Sequence, residues 1–271
     1  MEARLAKELP ERAGHWQYEP KWDGFRCLAF KAGGRADLRG KSGKSLSRFF
    51  PEVVTLLEGL AAKQFLVDGE LVIEQDGHIA FDALQMRLHP AESRIRKLAQ
   101  QTPARLILFD MLVDAKGSIV MHEPLRRRRK ILSAFIKMVA VRKRLVLSPA
   151  TTSFKKAKGW LAQESKGSTD GVIAKKLDDP YSPGERAMIK VKRLRTADCV
   201  VGGFRYLAQR REVGSLLLGL YDDEGKLNHV GFTSTISNDE RPALTRKLEK
   251  LKEPPGFTGD APGGPSRWST E

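Results

Sequence analysis

Apolar and polar positions alternate along much of this chain, and the alternation predicts strands over short stretches with helices set between them. Residues 1 to about 17 read as a mixed arm. Trp16 and Tyr18 lead into a first strand, and Arg26 to Phe30 continues as a strand beyond a short polar turn. Gly33-Gly34 makes the next turn, and Arg35 to Leu38 returns as the antiparallel partner. Phe49 to Leu60 predicts a helix, with Pro51 in its first turn and Val53, Leu56, Leu57 and Leu60 as an apolar stripe. Phe65 to Ile73 is a strand interrupted by Asp68-Gly69. Phe81 to Arg87 has helical spacing, Glu92 to Gln101 reads as a basic surface helix, and Arg105 to Leu112 as a buried strand.

Further on, Glu123 to Val139 predicts a helix, Leu145 to Leu147 a strand, and Phe154 to Glu164 a helix. Phe154, Ala157, Trp160 and Leu161 face inward on that helix, and Gly167 suits its C-cap. Met188 to Lys192 is a strand. After a boundary near Arg193 to Thr196 come shorter strands at Asp198 to Arg205, Ser215 to Tyr221 and Leu227 to Thr233. A helix from about Asp239 to Lys252 follows, with Leu244, Leu248 and Leu251 in register. Pro254 to Glu271 is rich in Pro and Gly and shows no strand.

The length of 271 residues supports a real core and two domains, and 41% hydrophobic content marks a globular chain. No apolar run reaches membrane-spanning length, and the N-terminus lacks a secretory apolar segment. Cys27 and Cys199 lie far apart, which argues against a disulfide framework or zinc knuckle and for a reducing cytoplasm. The net charge of +15 points to a polyanionic partner, nucleic acid ahead of an anionic membrane.

The charge directs attention to the residues that could handle phosphates. Tyr18-Glu19-Pro20-Lys21-Trp22-Asp23-Gly24-Phe25-Arg26 places an amine, a carboxylate, a glycine and a guanidinium together. A lysine attacks as the free amine, and its ordinary pKa of about 10.4 must fall, through burial or nearby cations, for that form to be abundant. Lys21 is therefore the candidate nucleophile for an α-phosphate. Asp23-Gly24 shapes the turn behind it, and Arg26 has the reach for a phosphate or ribose.

Glu70 stands inside an apolar run, where a carboxylate needs a partner or a metal. Asp170 sits beside Gly171 at a predicted turn, before a strand ending in Lys175. Lys190 and Lys192 repeat at the strand period and so share a face. The spacing alone also fits a basic edge strand, where lysines discourage aggregation. Arg39 to Lys44 is glycine-rich and basic but lacks the spacing of a phosphate-binding P-loop. Arg126-Arg127-Arg128-Arg129-Lys130 wraps several helix faces, either gripping a nucleic-acid backbone or solvated.

Glu19-x-Lys21-x-Asp23-Gly24-x-Arg26 resembles the nucleotidyl-lysine motif of ATP-dependent DNA ligases and mRNA-capping enzymes. Further motifs follow in the family's order. Lys41 stands where the family's S-R-x-G motif has arginine, keeping charge but losing the planar fork. Asp68-Gly69-Glu70 matches D-G-E, and Phe81 to Gln85 matches F-x-x-L-Q. The Phe109 stretch resembles the motif whose aromatic stacks on the base, with Asp110 holding the loop behind it. Asp170-Gly171-Val172-Ile173-Ala174-Lys175 resembles E-G-[VI]-[VI]-x-K with a shorter acid. Met188-Ile189-Lys190-Val191-Lys192 resembles W-x-K-x-K with methionine in place of tryptophan.

The resemblance is nearest to compact bacterial ATP-dependent DNA ligases and the ligase module of end-joining proteins. It implies an α+β fold: an adenylation (nucleotidyltransferase, ATP-grasp-like) domain over residues 1–194, with antiparallel sheets and flanking helices. An all-β OB-fold domain over 195–271 would follow, C-terminally truncated because the closing R-x-D-K-type motif is missing, and so poor at the first step. It implies ATP as AMP donor, Mg²⁺ (with Mn²⁺ as a substitute), nicked double-stranded DNA as substrate, and a cytoplasmic, nucleoid-associated setting. Repair or end-joining proteins are the implied partners, with no membrane role. Lys21 would carry AMP. Glu19 would read the adenine edge, and Phe109 would stack on adenine. Arg26, Lys41, Glu70, Lys175, Lys190 and Lys192 would contact the nucleotide, and Glu70 and Asp170 the metal. The motifs leave open a GTP-dependent capping guanylyltransferase, an RNA ligase, and a non-catalytic nucleic-acid binder.

Overall fold

The computed structural model describes residues 1–139, 144–162, 169–193 and 196–262. The chain divides into two units, Met1–Leu194 and Arg195–Glu271. Gly167 lies outside the described residues. Among the described residues no helix is long and apolar enough to cross a membrane.

The first unit follows the alternation closely. Its opening strands are β1 (Ala3–Leu5), β2 (Trp16–Trp22), β3 (Phe25–Ala32) and β4 (Arg35–Gly40). A 3₁₀ turn at Ser47–Phe49 leads into α1 (Pro51–Glu58). Strand β5 (Phe65–Val72) precedes the small hairpin of β6 (Glu74–Gln75) and β7 (His78–Ile79). Then come α2 (Phe81–Gln85), α3 (Glu92–Gln101), β8 (Arg105–Val113), α4 (Leu125–Val139), β9 (Leu145–Leu147), α5 (Phe154–Ala162), β10 (Thr169–Lys176) and β11 (Met188–Lys192). The expected N-terminal arm is not merely an arm: β1 pairs in parallel with β11 at the edge of a sheet.

The two main sheets run β1-β11-β10-β2 and β4-β3-β5-β8-β9. Each has one apolar face, because side chains alternate across a strand. In the first sheet Tyr18, Val172, Ala174, Ile189 and Val191 pack with Ala157 of α5. In the second, Cys27, Ala29, Val67 and Leu71 pack against Val53 and Leu57 of α1 and Leu132 and Phe135 of α4. Each such leucine or phenylalanine stabilises by about 1.5–3 kcal/mol on burial. A third, smaller cluster joins Leu28 and Leu66 of the second sheet to Ile173 and Met188 of the first. It sets the remaining two faces opposite each other, and those faces carry the polar residues singled out above.

Several expectations change here. Asp68-Gly69 does not interrupt β5, which runs straight through it. Gly69 is needed because a Cβ there would lie 2.7 Å from the Ile107 carbonyl of β8. Strand β11 is interior, between β1 and β10, so the edge-strand account of its lysines fails. The arginine run is not a uniformly solvated face. Arg126 pairs with Asp178 and Arg127 with Glu123. Arg128 is fully buried and forks onto Asp110 at 2.8 and 2.9 Å. Arg129 donates to the carbonyls of Phe109 and Ser148. The buried Lys31 ends α1, donating to Glu58 and Leu60 carbonyls at 2.7 and 2.6 Å, where a helix dipole favours a cation.

The second unit is an antiparallel meander of β12 (Val200–Leu207), β13 (Arg210–Tyr221) and β14 (Leu227–Thr233), with α6 (Arg241–Lys250) against β13. Thr245 of α6 accepts from the Val213 amide at 3.0 Å, tying helix to sheet. Gly202 leaves room for Phe257, whose ring atoms would lie 2.6 Å from a Cβ there.

Candidate active site

Residue parity on β2 puts Gln17, Glu19 and Lys21 on one face. Their neighbours on β10 in register are Lys175, Ile173 and Gly171, and on β11 Ile173 faces Lys190 and Gly171 faces Lys192. The opposite parity is the apolar core, so the whole polar row is presented to the second sheet. From that sheet come Arg26 of β3, Glu70 of β5, which is its register partner, and Phe109 of β8.

Two irregularities aim the side chains. Asp170 is passed over in the β10–β2 register, where Thr169 faces Trp22 and Gly171 faces Lys21. Phe109 is passed over between Leu108, which faces Gly69, and Asp110, which faces Asp68. Each is the extra residue of a bulge, a feature that re-aims side chains beside active sites. Asp170 was expected at a turn; it lies within the strand.

The result is a cleft of about 270 Å³ lined by Glu19, Lys21, Arg26, Lys41, Glu70, Phe109, Lys175 and Lys190, together with Ala3, Pro20, Trp22, Ile173 and Met188. Lys192 and Asp170 do not line it; they reach it through Lys21. The Lys21 Nζ lies 2.8 Å from Asp170 Oδ1, and Lys192 Nζ lies 3.1 Å from Asp170 Oδ2. Gly24 closes the turn behind Lys21, since a Cβ there would meet the Leu71 carbonyl at 2.3 Å.

Glu19 is buried and accepts from Lys175 Nζ at 3.0 Å and from Gln17 Nε2 at 2.7 Å. The same ammonium lies 4.5 Å from the Phe109 ring centroid. Arg26 is already held: it forks onto buried Asp68 at 3.2 and 2.7 Å, meets the Tyr181 hydroxyl at 3.3 Å, and donates to the Met1 carbonyl. Tyr181 in turn donates to Asp68 at 2.8 Å. Lys41 is largely exposed and stands 3.3 Å from Glu2. Burial pushes the Glu70 carboxyl up to about 8, against the pull of Lys21 and Arg26 and with the push of Asp68.

The sequence did not single out Gln17, Asp68 or Tyr181 for the site. Asp68 was visible as part of D-G-E, but its partners lie 42 and 113 residues away. Among the described residues no three His, Cys, Asp or Glu side chains gather as a metal cage. Glu70 lines the cleft and Asp170 stands against Lys21, so carboxylate oxygens, the ligand type that Mg²⁺ takes, are present on two of the strands around it.

The cleft gathers a buried acid, a lysine on the same face, an aromatic wall and several cations, in the mixed α and β fold of a nucleotidyltransferase-type ligase domain. A family model, "ATP dependent DNA ligase domain", matches residues 3–192. DNA ligase C1 of Mycolicibacterium smegmatis is 42% identical over 278 residues, spanning 100% of this chain and 77% of the relative. DNA ligase C of Mycobacterium tuberculosis is 38% identical over 249 residues, 91% of this chain and 70% of the relative. Among solved structures, a mycobacterial DNA ligase D complexed with ATP and MES aligns with a TM-score of 0.53 at 26% identity, covering 96% of this chain and 82% of that one. The chain belongs to the ATP-dependent DNA ligase family. Of the enzymes the lysine motif allowed, it is thus the DNA ligase that uses ATP.

Proposed function

We propose that this chain seals nicks in duplex DNA through a lysyl-AMP formed on Lys21. The observation that carries the reading is the position of Lys21 in the cleft, on the same strand face as buried Glu19 and paired with Asp170 at 2.8 Å. Lys21 Nζ, having lost a proton, attacks the α-phosphate of ATP; a P–N bond forms, the bond to the bridging oxygen breaks, and pyrophosphate leaves. An oxygen of the DNA 5′-phosphate then attacks the AMP phosphorus and frees Lys21. The 3′-hydroxyl attacks that 5′-phosphate, releasing AMP and closing the strand. Such transfers depend on alignment and charge neutralisation.

In this reading adenine lies against Phe109, with Glu19 accepting from its amine. Lys175 keeps Glu19 in place, and Lys190, Lys192 and Lys41 face phosphates. Arg26, braced by Asp68 and Tyr181, offers its remaining face to ribose. Glu70 and Asp170 would hold Mg²⁺, which supplies charge neutralisation at the phosphate oxygens. Residues 1–194 act as the adenylation domain and 195–271 as an OB-type domain. The strand meander supports this, as do the exposed Tyr206, Tyr221 and Phe232, aromatics of the kind on which bases stack. A role in repair is supported by a relative, 28% identical, named as a non-homologous end joining DNA repair protein.

The test is intact-protein mass spectrometry after incubation with ATP and Mg²⁺, beside Lys21→Ala. One AMP per chain at Lys21, absent from the variant, is expected. Pre-adenylated nicked DNA tests strand closure separately. Equal labelling of wild type and variant would end the proposal.

A further inference from the structure

Gln17 belongs to none of the motifs, yet it is buried to 6% exposure on the reactive face of β2. Its register partner on β10 is Lys175. The two grip Glu19 from different sides: Gln17 Nε2 donates to Oε1 at 2.7 Å and Lys175 Nζ to Oε2 at 3.0 Å. An ionised carboxylate can only accept, so the amide must present its NH₂ and not its carbonyl. The orientation of Gln17 is therefore fixed by chemistry.

We propose that Gln17 is the positioning residue that makes Glu19 select an amine-bearing purine. The inference rests on the reading of Glu19 as the group that meets the adenine edge. A carboxylate has about four lone-pair sites, so with one donor on each oxygen it can still accept an N–H from the base. Lys175 alone would not hold it. An ammonium is a point charge on a flexible stem, and a carboxylate released at Oε1 is free to turn both oxygens onto it. Gln17 blocks that rotation and keeps Oε1 lone pairs directed into the cleft. A purine with a carbonyl in place of the amine would set oxygen against carboxylate, a repulsive contact.

The experiment compares self-adenylylation by the whole chain with ATP and with purine riboside triphosphate, which lacks the amine, read by intact mass. Wild type prefers ATP. Gln17→Met keeps the volume and removes the donor; its kcat/KM for ATP falls by about ten- to a hundredfold, the worth of a hydrogen bond to a charged group, while the analogue is used as before. Gln17→Asn, too short to reach Oε1, shows the same selective loss and stands in should the methionine variant fail to fold. In a Glu19→Ala background, Gln17→Met lowers the ATP preference no further. Equal losses for both nucleotides, or an intact ATP preference, would overturn the role of Gln17. Should Glu19→Ala itself keep the ATP preference, the parent reading of Glu19 fails instead.

Discussion

Arg128→Met tests how the aromatic wall of the cleft is held. Arg128 and Asp110 are each 1% exposed at the side chain, and Asp110 follows Phe109 directly. Methionine keeps the apolar stem and removes the guanidinium. Asp110 then loses bonds of 2.8 and 2.9 Å and keeps one backbone donor, the Met111 amide at 2.9 Å. The carbonyls of Glu123 and Asp179 lose donors at 2.6 and 3.1 Å. Stranding one member of a buried pair costs about 3–5 kcal/mol, and the donor lost by the Glu123 carbonyl adds about 1 kcal/mol, while the Asp179 carbonyl keeps the Leu125 amide at 3.1 Å. At about 2–3 kcal/mol per molar urea for a unit of this size, the midpoint should fall by about 2 M. Tryptophan fluorescence is the assay, since Trp16, Trp22 and Trp160 all lie in the first unit. The double change Asp110→Leu, Arg128→Met removes both charges and should regain most of the loss, as apolar replacements of buried pairs do. A single-variant shift under about 0.5 M, or a double variant as weak as the single, would refute the reasoning.

Glu70 gives a pH prediction: its carboxyl titrates near 8 when folded against an ordinary 4.5. The folded chain thus holds a proton that the unfolded chain releases, so this contribution to stability is complete below about 4.5 and lost as pH rises through about 8. Glu70→Gln should gain on wild type by a few kcal/mol (at about 1.4 kcal/mol per pH unit) between pH 5 and pH 9, in urea melts without nucleotide. Asp170→Asn should change stability by less than about 1 kcal/mol, because its lysine pairs are part-exposed, while slowing self-adenylylation at least about tenfold. Gly171→Ala puts a Cβ 2.1 Å from the Val191 carbonyl and should cost about 3 kcal/mol, read as a lowered urea midpoint.

Strand periodicity made most of the first unit legible, and the spacing of Lys190 and Lys192 correctly put both on one face. The arrangement of motifs brought Lys21 forward as the candidate nucleophile, and Lys21 lines the cleft. The partner strand decides what the sequence could not. Whether Phe109 faces core or cleft depends on a register defect against β5, which a single strand cannot reveal. The same holds for Asp170 against β2. The arginine run read as surface because its partners, Asp110 and Asp178, lie 18 and 52 residues away. Glu19 and Lys175, 156 residues apart, carry no local sign that they are a pair.

Phe109 and Asp170 are surplus to the ladders of β8 and β10. Removing either would close that defect and leave the pairs that flank it in register. The residues on either side would keep their faces, because cross-strand partners lie on the same side of a sheet. Both ladders would survive, and the cleft would be short of one ring or one carboxylate that regular pairing has no place for.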